Sequence, residues 1–173
     1  MIPEIKKILF TTDLSENARY AFSYAGDIAA RYNAGIVILH VLEDLPNNAE
    51  MIKNMLGEKE WEELKKKSEE EAVSSLTGKI TDNKLIRLAL RSLGEQISDD
   101  LLPDEDDQVE IVVQKGNIVE EIIAQSESKG CGMILMAYRS RNMLAESIIG
   151  GVCRKVLRRS KKPVLLVPMP DKS

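Results

Sequence analysis

Histidine and cysteine are scarce in this chain: one histidine, His40, and two cysteines, Cys131 and Cys153. Structural and catalytic zinc sites draw three or four convergent ligands, mostly from these residue types, and no such spacing is present. A serine or cysteine nucleophile needs a base beside it; there is no G-x-S-x-G turn and no partner motif for His40. The sequence therefore predicts neither a catalytic set nor a metal site, and an activity that is not enzymatic. Long apolar runs are also missing. Nothing approaches the roughly 18 uninterrupted apolar residues of a membrane span. The opening MIPEIKKILFTTD carries charge too early for an export signal. Charge of one sign is not in large excess, with 24 basic against 28 acidic residues. That balance gives no global attraction to nucleic acid or anionic lipid. The expectation is a cytoplasmic protein in a reducing compartment.

Several short apolar runs are present, each bounded by turn residues: ILFT (8–11), IVILHV (36–41), VEIVV (109–113), MILMA (133–137) and VLLV (164–167). Runs this short, rich in Val and Ile with little polar alternation, predict strands covered on both faces. VEIVV contains Glu110 and is expected at a sheet edge. Helical periods lie between them. One runs from Ser15, a plausible N-cap, through Ala18, Ala21, Phe22, Ala25, Ile28, Ala29 and Tyr32 to a stop at Asn33-Ala34-Gly35. Asn117 and Glu120 have capping-box spacing before Val119, Ile122 and Ile123. A last helix repeats Ile148, Ile149, Val152, Cys153, Val156 and Leu157. Its end is expected at Arg158, Arg159, Lys161 and Lys162, where the helix dipole favours cations. Strand and helix in alternation predict one α/β domain over residues 1–173, a doubly wound and mostly parallel five-stranded sheet. Residues 44–107 are expected as a helical insert decorating it. Trp61, Leu64 and Leu76 should point inward on its first helix, and Leu85, Ile86, Ala89, Leu90, Leu93, Ile97 and Leu101 on its second.

Four segments, taken in order and spacing, resemble the universal stress protein family: KKILFTTDLSENA (6–18), ILHV (38–41), KGN (115–117) and the stretch from Met133 to Pro168. The resemblance implies strand order 3-2-1-4-5 and a homodimer formed through the last strand, Val164, Leu165, Leu166 and Val167. In ATP-binding members of the family the phosphate loop reads G-x-x-G, nine residues, then Gly and Ser or Thr. The aligned stretch here is Ala137-Tyr138-Arg139-Ser140, nine residues from Arg141 to Ile149, then Gly150-Gly151. The length is kept, the two leading glycines are replaced, and the hydroxyl position is a second glycine. Asp13 and Val41 stand where the family places a ribose-contacting carboxylate and an adenine-contacting backbone. A nucleotide site would thus comprise Asp13, Val41, Ala137, Ser140, Arg141, Gly150 and Gly151, with its phosphate side altered.

Two functions follow from the resemblance. One is a homodimeric stress-response module that acts by binding an unidentified protein partner, without turnover and without depending on a nucleotide, ATP or AMP being a possible ligand. The alternative is a stress sensor binding ATP or AMP, with little or no hydrolysis. The cations from Arg154 to Lys162 lack interleaved aromatics and are read as a solvated helix face. Neither nucleic acid nor a membrane is therefore expected as a partner. The acidic run 99–107 lacks the alternating ligands of a calcium loop. Both cysteines read as small buried residues.

Overall fold

A computed structural model of the chain describes residues 3–15, 18–42, 48–74, 82–101, 108–138 and 149–169, without the side chains of 48, 68–74, 82–84 and 96–101. Five strands, β1 (Lys7–Thr11), β2 (Gly35–Leu42), β3 (Val109–Lys115), β4 (Met133–Tyr138) and β5 (Val164–Pro168), form one sheet. Its order is β3-β2-β1-β4-β5, and every pairing is parallel. The expected strand order holds, and the sheet is wholly rather than mostly parallel. β3, with Glu110 inside it, lies at an edge as its sequence predicts, and β5 forms the other edge.

Parallel pairing requires crossovers, and these carry the helices. α1 (Ala18–Tyr32) joins β1 to β2, and α2 (Asn48–Leu56), α3 (Glu58–Ser74) and α4 (Asp82–Leu101) lie between β2 and β3. α5 (Ile118–Ser128) joins β3 to β4, and α6 (Gly151–Arg159) precedes β5. Alternate strand residues face two separate cores. On one side Ile8, Phe10, Ile36 and Ile38 meet α1 and α4. On the other, Leu9, Val37, Leu39, Ile134 and Met136 meet Val119 and Ile122 of α5 and Cys153 and Val156 of α6. Phe10 and Phe22 touch in the first core with ring centroids 4.9 Å apart. Such tilted pairs contribute about 0.5–1.5 kcal/mol beyond their buried area.

The segment expected as decoration carries a share of the first core. Ile52, Met55 and Leu56 of α2, Leu64 of α3, and Ile86, Ala89, Leu90 and Leu93 of α4 are all buried within it. The physical reason is that β2 and β3 would otherwise expose one face, and α4 is the crossover helix that covers it. Trp61 packs against the same core, as predicted, while Leu76, Ile97 and Leu101 fall outside the described side chains. The carboxylates of α3 reach other helices: Glu60 pairs with Arg19 of α1 at 3.7 Å and Glu58 with Lys53 of α2 at 2.9 Å.

Local signals are mostly honoured. Asn33 ends α1 with φ of 50°, and the side chain of Asn117 caps α5 by accepting from the Glu120 amide at 3.2 Å. In the turn before it, Gly116 has φ of 156°, a conformation that L side chains rarely adopt. Ser15 accepts from the Ala18 amide through its carbonyl, at 2.9 Å. Three expectations for the last helix are corrected: α6 starts at Gly151, so Ile149 lies before it, and Ile148 is outside the described residues. α6 ends at Arg159, so Lys161 and Lys162 lie beyond it. Leu157 is not in the inward stripe but 42% exposed. With Val152, Cys153 and Val156 facing the sheet, residue 157 falls roughly 95° round from the middle of that stripe at 3.6 residues per turn.

Candidate functional site

In an open parallel sheet, ligands gather beyond the carboxyl ends of the strands where the winding direction reverses. Here the chain winds from β1 out to β3, then returns to place β4 on the other flank of β1, so the reversal lies between β1 and β4. Their register sets Thr11 beside Met136. Asp13, two residues past Thr11, and Ala137, one past Met136, therefore stand at neighbouring strand ends on one crevice.

The β1 end is built as a tight corner. The Asp13 carboxylate is exposed and accepts from the Ser15 amide at 2.9 Å through Oδ1. Leu14 holds φ of 60° while fully buried, and its amide donates to Thr12 Oγ1 at 3.1 Å. A non-glycine residue in that conformation costs about 1–2 kcal/mol. Burial of the Leu14 side chain in the first core offsets the cost and sets the corner's shape. Next to it, His40 lies inside β2, and its Nδ1 sits 2.9 Å from the Thr12 carbonyl oxygen. The ring is buried and ties β2 to the corner, a structural use of the histidine.

The opposite side of the crevice is the start of α6. Gly150 is its N-cap, with φ of −50° and no side-chain cap, and the first helical hydrogen bond runs from the Arg154 amide to the Gly150 carbonyl at 3.0 Å. The amides of Gly151, Val152 and Cys153 precede that first bond and have no intrahelical acceptor. A Cβ added at Gly150 or Gly151 would meet nothing within 4 Å. Among the described residues neither glycine is demanded by packing. The Cys153 thiol lies 3.7 Å from the Ala137 carbonyl oxygen, fastening α6 to the end of β4. Burial raises the pKa of this thiol above its ordinary value, and the negative charge of Asp13 raises it further. Val41 is buried on the sheet face that α5 and α6 cover. Ser140 and Arg141, named from the sequence, lie outside the described residues. Sequence reasoning missed the strained Leu14 corner and the link from Thr12 to His40. Only a buried leucine following Asp13 could have hinted at the first. Among the described residues no group of three or more His, Cys, Asp or Glu could hold a metal ion.

Sheet order, crevice and donor arrangement define a doubly wound α/β protein of the nucleotide-binding fold. The sequence model of the universal stress protein family matches residues 4–168, and the chain belongs to that family. It is 28% identical over 168 residues to Universal stress protein MJ0577 of Methanocaldococcus jannaschii, covering 94% of each chain. It is 24% identical over 167 residues to MJ0531 of the same organism, covering 96% of this chain and 84% of that protein. The solved structure of MJ0577 superposes with a TM-score of 0.58 at 29% identity, covering 98% of this chain and 100% of that one. A universal stress protein solved in complex with cAMP gives a TM-score of 0.58 at 16% identity, covering 97% of this chain and all of that one, a likeness of fold. No described helix is long and apolar enough to cross a membrane.

Proposed function

We propose that this protein works in the cytoplasm as a homodimeric stress-response module, one unit that binds a protein partner and turns nothing over, with β5 as its dimer contact. The observation that carries the reading is the outer edge of β5, which pairs with no other strand among the described residues. The Pro163 carbonyl accepts from Ile134 and the Met169 amide donates to Tyr138, so the odd-numbered residues of the strand bond inward. Val164 and Leu166 therefore turn their amides and carbonyls outward, since the bonding sides alternate along a strand. An apolar edge with open backbone groups favours pairing with a second copy. A two-fold axis at that edge would pair two identical strands antiparallel and satisfy both. Replacing Leu166 by proline removes one outward amide and no inward bond. Sedimentation of that variant is expected to give a folded monomer, and a persistent dimer would place the contact elsewhere.

A second reading, an adenine-nucleotide sensor, is favoured by the open amides of α6 standing across the crevice from Asp13. Amides at a helix N-terminus suit a phosphate. Relatives of the fold were solved with cAMP and with dAMP, at 16% and 13% identity. Thermal unfolding with millimolar ATP and magnesium tests it. Ligand at 100 times its dissociation constant stabilises by about 2.7 kcal/mol. Asp13→Ala is expected to remove the shift, and the absence of any shift in the unaltered protein would end this reading.

A further inference from the structure

Six cations crowd nine residues at the end of the second helical layer: Arg154, Lys155, Arg158 and Arg159 on α6, then Lys161 and Lys162. All but Lys162 are exposed, and Lys162 is half-buried. No acidic residue occurs between Glu146 and Asp171. Among the described residues none of the six has an ion-pair partner. The chain as a whole is acidic, and taking these six from its 24 basic residues leaves 18 against 28 acidic ones.

Helix-dipole complementation accounts for only part of this. It favours Arg158 and Arg159 in the last turn, but the Arg154 amide makes the first helical bond, to Gly150. Arg154 thus sits in the first turn, where the dipole opposes cations, and Lys155 is the fifth of nine residues, where the dipole gives it no support. Arg154 with Arg158, and Lys155 with Arg159, are like-charge pairs at i,i+4, which destabilise a helix. α6 carries charge that its own folding disfavours, and local conflict of that kind marks functional surfaces. The two lysines are held against the helix end, because Ser160 Oγ accepts from the Lys162 amide and donates to the Lys162 carbonyl, each at 2.9 Å.

We infer that this face binds the phosphate backbone of duplex nucleic acid without reading its sequence. A protein partner would call for an apolar or aromatic centre, and Leu157 is the only exposed large apolar residue on the helix. A membrane-lying helix needs its apolar face free for lipid, whereas Cys153 and Val156 are packed inside the protein. Single strands call for stacking aromatics, which are absent here. A duplex backbone asks only for spaced positive charge. Acidic residues more than roughly 8 Å from a cation are screened from it at physiological salt.

The test is fluorescence anisotropy of a labelled 20-base-pair duplex at several salt concentrations. Binding is expected to be about micromolar at 50 mM salt, and to weaken about a thousandfold by 200 mM if all six cations engage. Arg154→Gln combined with Arg158→Gln should weaken binding and reduce the log–log salt slope by about two. Its unfolding temperature should stay equal or rise, because a like-charge pair is gone. Lys65→Gln with Lys66→Gln, exposed on α3, should bind as the unaltered protein does. Absence of binding, or an Arg154 and Arg158 variant that binds normally, would overturn the proposal. So would tighter binding to polyglutamate or to phosphatidylserine vesicles at the same salt, which would assign the face to an acidic protein or to lipid.

Discussion

β3 and β5 occupy equivalent positions at opposite rims of the sheet, and their sequences treat those positions differently. β3 carries Glu110, which takes an ion pair from Lys129 and another from Lys7 at 3.9 Å. Its outward backbone is also attended, since Arg87 of α4 reaches the Ile111 carbonyl at 3.5 Å. β5 has no charged residue, and Val164, Leu165 and Leu166 remain half-buried. A charge within an edge strand deters pairing with other chains, whereas an uncharged apolar edge invites it. One rim carries a charged guard and the other does not.

The comparison breaks most visibly if β5 is given the device that β3 has. Val164→Glu with Leu166→Glu is expected to weaken the proposed dimer about 100-fold, since like charges set against each other across an interface cost several kcal/mol, measured by dilution in sedimentation experiments. Stripping the guard from β3 should do less. Glu110→Val is expected to change stability by under about 1 kcal/mol, because pairs this exposed are screened. Its signature is concentration-dependent association beyond the dimer, seen by light scattering.

The smallest effect concerns the two buried thiols. Burial raises the pKa of both, so folding favours the protonated form. Stability from this source is full below the ordinary thiol value of 9.0 and is lost as pH rises past it. The decline should flatten when both are replaced by alanine. Asp13→Asn is expected to ease ionisation of Cys153 and leave Cys131, whose charged neighbours are Lys7, Glu110, Lys162 and Lys129, unchanged. Alkylation rate against pH distinguishes the two thiols.

Fold was the more legible half of the molecule. Val- and Ile-rich runs of four to six residues marked all five strands, because a parallel strand is covered on both faces and needs no alternation. Glu110 marked the β3 edge, since a lone carboxylate there needs water or a cation. The α4 crossover was harder to separate from decoration, because a helix-rich stretch of some sixty residues does not announce which of its helices covers the sheet. Site geometry was readable only in outline. That β1 and β4 are neighbours follows from strand order, but the register of Thr11 against Met136, the left-handed turn at Leu14 and the use of His40 to hold Thr12 depend on tertiary packing. The position of Arg154 at the unfavourable end of α6 was hidden for a similar reason. Until the helix start was fixed at Gly151, its cations could be read as serving the dipole.

The most direct test of β5 as the dimer contact compares three proteins by sedimentation equilibrium with circular dichroism: the unaltered chain, Leu166→Pro and Leu166→Ala. The expected result is twice the chain mass for the first and third and the single chain mass for Leu166→Pro, with all three folded. A folded Leu166→Pro at twice the chain mass, or an unaltered chain at single mass, would contradict the account.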